Sequence, residues 1–342
     1  RCNFTNVGTA PERFLSANPH FARSALARYT PADFIALVER HRIAWHEKKL
    51  GQLFCDGSAR QIVAMLLDEG QRGQVEIALS EPVRDIDHGD GRYRVTFGNR
   101  VETATKLVVA TGGPSIPKMG ASGFAYDLAR RFRLKVVEPR PALVPLTLGG
   151  DELLFRSLAG VSAEVVARCG KAAFREAALF THRGLSGPAI LQISSYWRNG
   201  EVVAIDFFPD RPAGWLKDAK RTAPRTAFPK LLAGILPERL AVVLADVMGM
   251  EGELANLADS RLVQAEQRLA HWAFRPNGTE GFAKAEVTAG GVSTGELSSK
   301  TLEARNVPGF HVIGEAVDVT GWLGGYNFQW AWASGWAAGQ AL

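Results

Sequence analysis

The chain has 342 residues, 46% of them hydrophobic and 22% charged, with a formal net charge of +5. That is long enough for two domains and apolar enough to bury a core, so it is not the composition of a disordered chain. No apolar run reaches the roughly 18 residues that a membrane span needs, and no repeat or low-complexity tract stands out.

Cys2, Cys55 and Cys169 lie far apart and are odd in number. They make neither a disulfide framework nor a zinc spacing, so a reducing cytoplasm is expected. The mild basicity suits anionic ligands without demanding nucleic acid, and a nucleic-acid partner is disfavoured. The densest basic stretch, KDAKRTAPRTAFPK (217–230), reads as a solvated loop with prolines. The chain opens on Arg1, with no signal peptide after it, and reads as a fragment. Oligomeric state leaves no signal.

Thr30-Pro31-Ala32-Asp33 opens a helix with a cap, a first-turn proline and an acid at the positive end, followed by Phe34, Leu37 and Val38 at helical spacing. Ser58 opens a second, with Ile62, Met65 and Leu66 inward and Gly70 or Gly73 as the stop. Val75 to Leu79, Tyr93 to Phe97 and Val101 to Ala104 read as strands, with a Gly98-Asn99 hairpin turn between the last two. Lys106 to Ala110 is a short apolar run, as in a buried strand, and ends in Thr111-Gly112-Gly113. Pro139 to Pro145 marks a boundary, and short strands and turns fill about 145–210. Helices follow over about 237–274, the second capped by Ser260. Phe310 to Ile313 is another strand, ending in Gly314-Glu315 and leading to a terminal helix from Tyr326 or Asn327. The partition expected is 1–144 for the first part of a dinucleotide-type α/β domain, 145–276 for an insert on the substrate side, and 277–342 for the return segment.

Three junctions share one form, an apolar strand and then glycines: VVATGG (108–113), EVTAGG (286–291) and HVIGEAVD (311–318). Parallel α/β sheets bind ligands beyond such strand ends, and glycine lets backbone approach a ring or a phosphate. Gly324 and Gly325 precede the terminal helix, whose N-terminus exposes unpaired N–H groups and a partial positive charge. Trp332 and Trp336, one turn apart on that helix, read as packing. Glu315 and Asp318 suit ribose-like or ribityl hydroxyls; the plain alternative is turn formation. His182 and Arg183, in FTHRGLSGP, suit proton relay and anion holding, although a lone histidine is more often structural. No HExxH or other metal site is apparent. Gly291-Val-Ser293-Thr-Gly295 matches the serine-hydrolase GxSxG, but its only later histidine, His311, leaves no room for the intervening hydrolase strands.

Together RCNFTN (1–6), WHEKKLGQLFCD (45–56), VVATGG, LFTHRGLSGPAILQIS (179–194), VTAGGV (287–292) and GEAVDVTGWLGGYNFQWAWASG (314–335) resemble the BaiN-like, or YhiN-type, family of FAD-dependent oxidoreductases. Some of its members are labelled aminoacetone oxidase. The resemblance implies a Rossmann-like FAD domain interrupted by a β-barrel and helical insert. By position it implies FAD contacts at Val83, Thr111, Gly112, Gly113, Gly290, Gly291, Gly314, Glu315, Asp318, Gly325, Asn327, Phe328 and Gln329, the last three through the helix N-terminus. It also implies NAD(P)H as a donor and a small-molecule substrate, with His182 and Tyr326 as the proton-transfer residues. The family's strand–GxGxxG–helix would precede Arg1, and no other GxGxxG occurs. An RNA-binding protein on a flavoprotein fold and an inactive fragment are the rival readings.

Overall fold

The computed structural model describes residues 3–98 and 100–342. Cys2 and the Asn99 half of the expected hairpin turn fall outside them. The chain forms two compact units, Arg1–Arg140 with Val287–Leu342, and Pro141–Glu286.

The first unit opens with β1 (Asn3–Asn6), β2 (Phe14–Leu15), α1 (Arg23–Arg28), α2 (Pro31–Arg40), β3 (Trp45–Glu47), β4 (Gln52–Cys55) and α3 (Ala59–Arg72). It continues through β5 (Val83–Gly89), β6 (Arg92–Phe97), β7 (Arg100–Ala104), β8 (Leu107–Val109), α4 (Phe124–Arg131) and β9 (Val136–Ala142), the last crossing the unit boundary. The second unit carries β10 (Leu146–Thr147), β11 (Ser162–Cys169), β12 (Ala172–Phe180), β13 (Gly184–Ser186), α5 (Pro188–Ser194) and β14 (Val203–Asp206). Then come α6 (Trp215–Thr222), α7 (Phe228–Ala233), α8 (Glu238–Met248), α9 (Asp259–Ala270), β15 (Trp272–Phe274) and β16 (Gly278–Thr279). The chain returns to the first unit with β17 (Val287–Val292), β18 (Phe310–Val312), β19 (Thr320–Gly321) and α10 (Tyr326–Gly339).

Local chemistry sets the helix starts. Thr30 and Asp33 form a reciprocal capping box on α2, and Ser58 with Gln61 does the same on α3. Phe34 and Val38 on α2, and Ile62 and Met65 on α3, are buried as their spacing requires. Leu66 is 39% exposed, because it lies one step, roughly 100°, round the helix from Met65. Val75 to Leu79 forms no strand: Val75, Ile77 and Leu79 stand exposed, since their alternation meets no partner edge. Helix α9 begins at Asp259 with Ala258 as its cap, so Ser260 falls in the first turn rather than at the cap.

Strands β8 and β18 pair in parallel, Leu107 opposite Phe310 and Val109 opposite Val312, so their carboxyl ends lie side by side. A small antiparallel sheet β1-β4-β3 and a meander β5-β6-β7 complete most of the first unit. The second unit holds one seven-stranded antiparallel sheet in the order β15-β14-β11-β12-β13-β10-β16. Among the described residues no pairing of β15 with β16 closes it into the expected barrel.

Helix α10 joins two cores of the first unit. Trp330 is buried with Phe21, Phe310 and Val312 in one. Trp332 packs on the other, which contains Phe4, Phe34, Leu53 and Met65. The indole of Trp332 stacks on Phe34 at 4.5 Å between ring centroids, and Trp336 stacks on Tyr29 at 5.8 Å. The tryptophans of α10 therefore pack the helix down. Phe34→Ala should destabilise this unit by about 3–5 kcal/mol through the lost burial and the cavity left beneath Trp332. Denaturant unfolding followed by tryptophan fluorescence measures it, and a loss below about 1 kcal/mol would contradict the packing described.

Candidate functional site

Two glycine turns meet at the carboxyl ends of β8 and β18. Gly112 (φ +67°) and Gly314 (φ +63°) are left-handed, and a Cβ on either would have no atom within 4 Å. The turns are thus open on the side where a side chain would stand, forming a backbone cradle. Gly113 differs: its Cβ would lie 2.6 Å from the Tyr126 hydroxyl and from Thr288 Oγ1, so it is glycine for packing. Thr111 is exposed at the rim.

Buried side chains brace the cradle. Glu315 Oε1 accepts the Thr288 N–H at 2.9 Å, and the hydroxyls of Thr288 and Ser115 bond at 2.8 Å. The Gly314 N–H donates to Ser334 Oγ and its carbonyl accepts Trp330 Nε1–H, each at 2.9 Å, which fixes the turn to α10. The buried Tyr126 hydroxyl has no hydrogen-bond partner among the described residues, and burial, then the Glu315 charge, pushes its pKa up. Asp318, 4% exposed, accepts the Ala17 N–H at 2.9 Å.

Gly290 and Gly291 (φ +85° and +122°) have a requirement inside the protein. A Cβ on Gly290 would lie 2.3 Å from the Glu138 carbonyl oxygen, and one on Gly291 would lie 2.6 Å from that of Ala316. Val83 opens β5, paired with Phe97 in the meander. No contact ties it to the glycine turns.

The second part of the site is the start of α10. Gly324 and Gly325 are both left-handed, and no side chain caps the helix. A Cβ on Gly325 would lie 2.4 Å from the Thr5 carbonyl oxygen, so β1 runs backbone to backbone against this turn. Asn327 clasps Gly321, accepting its N–H at 2.8 Å and donating to its carbonyl at 3.0 Å. Gln329 is fully buried, accepting Thr5 Oγ1–H at 2.6 Å and donating to the Tyr29 carbonyl at 2.9 Å. Its N–H already bonds the Gly325 carbonyl, so the helix end on offer consists of residues 326–328. Phe328 is 47% exposed and stacks on Trp332.

Tyr326 is 3% exposed, and its hydroxyl accepts a hydrogen bond from Arg13. The Arg13 guanidinium lies over the rings of Trp322 and Tyr326 at 5.7 and 5.6 Å. Arg13 escaped the sequence reading because only the β2–β19 pairing brings it to this loop. His182 belongs to the second unit, in the exposed turn between β12 and β13. Neighbouring Arg183 is 3.8 Å from Glu280.

Other chemistries find little support. Ser293 Oγ accepts the Gly295 N–H and caps a short turn. Cys55 and Cys169 are buried, and burial with the adjacent Glu201 charge pushes the Cys169 thiol up to about 11. Among the described residues His41, Asp68 and Glu69 are the one trio close enough to share a cation. The Arg72 guanidinium already pairs with both carboxylates, at 2.8 and 3.4 Å.

Burial raises Glu315 and Asp318 above their ordinary values of 4.5 and 3.8; the Thr288 N–H, and the Ala17 N–H with Arg140, pull the other way. A carboxyl raised on folding binds its proton more tightly in the folded chain. Its contribution is full below the unfolded pKa and is lost as pH rises through the folded one. The wild type should therefore lose stability relative to a Glu315→Gln, Asp318→Asn double variant between about pH 4 and pH 7. Melting curves across that window check this, and parallel pH dependences would contradict it.

Comparison with known proteins agrees with this architecture. A ribosomal RNA dihydrouridine synthase of Escherichia coli is 49% identical over 350 residues, covering all of this chain and 86% of its own length. A protein of the same name from Haemophilus influenzae is 44% identical over 349 residues, covering all of this chain and 87% of its own. A 3-dehydro-bile acid delta(4,6)-reductase of Clostridium scindens is 29% identical over 363 residues, again covering all of this chain and 87% of its own. Among the described residues no helix is long and apolar enough to cross a membrane. The profile of the HI0933-like protein Rossmann domain matches residues 1–341, and the chain belongs to that family.

Proposed function

We propose that the protein is a flavin-dependent reductase that saturates the C5=C6 bond of a uridine in ribosomal RNA. The family match and the reductase relative support a flavoprotein oxidoreductase in general terms. The names of the relatives narrow the chemistry. Dihydrouridine is uridine saturated across C5–C6, beside the C4 carbonyl, and a delta(4,6) unsaturation in a 3-dehydro steroid is likewise conjugated to a carbonyl. Conjugate reduction is common to both. It also unites two alternatives read from the sequence, reduction of an activated double bond and an RNA partner.

The observation that carries the cofactor assignment is the open pair Gly112 and Gly314 at adjacent parallel strand ends. The residues present fit FAD. The two glycines admit it, and Glu315 and Ser334 brace their turns from behind. The first-turn N–H groups of α10 face an electron-rich carbonyl edge. When bound, FAD supplies hydride transfer to an activated carbon, with NAD(P)H as its donor.

Reduction of uracil also needs a proton at C5. We assign it to the Tyr326 hydroxyl, which Arg13 orients at the start of α10 by donating to its oxygen. His182 stands in an exposed turn of the other unit and is the weaker choice.

Gly112→Ala separates cofactor from fold. The protein itself leaves room for the methyl, so the cost is that of a left-handed alanine, about 1–2 kcal/mol. FAD affinity should fall by more than about tenfold, equivalent to about 1.4 kcal/mol. Flavin fluorescence titration measures it, and unchanged affinity would place the flavin elsewhere. For the reaction, purified protein given NADPH and unmodified ribosomal RNA should yield RNA that has gained two hydrogens on one uridine, detected by mass spectrometry. Tyr326→Phe should lower that rate by about 100-fold or more while leaving FAD bound. Oxidation of NADPH with no change in the RNA would remove uridine as the substrate.

A further inference from the structure

The geometry points to the β3–β4 hairpin as the element that grips the RNA strand beside the site, through Lys48 and Lys49 at its tip. This rests on the reading of RNA as substrate.

The tip is fixed to the glycine turn before α10. The side chain of Asn6, 1% exposed, donates to the Leu50 carbonyl at 3.1 Å and to the Gly324 carbonyl at 2.8 Å. Its oxygen accepts the Gly8 N–H at 2.8 Å. Gln52, on β4, lies against Gly324, whose Cβ would be 2.7 Å from the amide nitrogen. Whatever the tip holds is therefore held at a set distance from the start of α10.

The tip is built to meet something outside the fold. Leu50 is left-handed (φ +51°), a strained state for a branched residue, and its side chain is 62% exposed. The outward face of the hairpin is aromatic and cationic. His46 and Phe54 face each other across the ladder and stack at 6.2 Å. The Lys48 ammonium lies over the same Phe54 ring at 5.5 Å, and it joins no ion pair among the described residues. The nearby acids are engaged. Glu47 accepts the Gly51 N–H at 3.0 Å, and Asp56 holds His46 Nδ1 at 2.5 Å. Cations interleaved with aromatic rings are the usual means of holding single-stranded nucleic acid, with the cations on phosphates and the rings under bases.

The denser basic stretch, 217–230, is the weaker candidate despite its charge. Lys220 pairs with Asp259 at 2.9 Å, and Arg221 pairs with Asp218.

The test is binding of unmodified ribosomal RNA transcripts to the FAD-loaded protein, measured by filter retention across a range of salt. The variants are Lys48→Gln with Lys49→Gln, and Lys217→Gln with Arg225→Gln and Lys230→Gln as the comparison; FAD content and circular dichroism check the fold of each. The hairpin variant should lose at least about tenfold in affinity, and its log–log salt slope should shrink by roughly 1.4, the value for two phosphate contacts on a single strand. The comparison variant should keep the wild-type slope. Equal affinity and slope in the hairpin variant and the wild type would overturn the assignment while leaving RNA as the substrate. The same holds if only the 217–230 variant loses affinity. A wild type that binds no RNA would overturn both.

Discussion

The backbone of β1 runs so close to the first turn of α10 that no side chain fits between them. At Gly325 a single methyl would sit 2.4 Å from the Thr5 carbonyl oxygen. This contact joins residues more than 300 positions apart, and the sequence around it is shaped to hold it. Thr5 bonds Gln329, Asn6 bonds Gly324, and Trp332 Nε1–H bonds the Phe4 carbonyl at 2.8 Å. Asn3 accepts the Gly325 N–H at 3.0 Å with its amide turned to suit its neighbours. The glycines allow the approach, and the polar side chains satisfy the backbone groups that it buries.

The site follows from that seam. With α10 fixed against β1, Trp330 and Ser334 reach back to Gly314 and set the turn at the end of β18. Parallel pairing of β18 with β8 then places the Gly112 turn beside it. One helix thus positions two features suited to one flat, electron-rich ligand: an open glycine cradle at the strand ends and an uncapped helix start. The four tryptophans around α10 serve that positioning by filling the cores on either side of the helix and by stacking with Arg13.

Much of this was legible in the sequence because it is local. Capping residues marked α2 and α3, and apolar runs ending in glycine marked β8 and β18. Tryptophans at helical spacing marked the packed faces of α10. The failures were long-range. Val75 to Leu79 alternates as a strand should, yet no edge is there to pair with it. Gly290 and Gly291 read as ligand-facing, but the backbone of Glu138 and Ala316 already requires them to be glycine. Arg13, Tyr126 and Thr288 carry no local signature; only the tertiary fold brings them to Tyr326, Gly113 and Glu315. Asn6 lay within a quoted motif, yet its part in joining the hairpin tip to Gly324 depends on a contact that no spacing reveals.

The central claim is that this cradle holds a flavin whose electrons pass to RNA. Anaerobic reoxidation tests it most directly. The purified protein should show flavin bands at roughly 370 and 450 nm that bleach with NADPH. Adding unmodified ribosomal RNA without oxygen should restore them, whereas RNA already carrying the modification should not. Bands that bleach but return only with oxygen would contradict the account and indicate an oxidase.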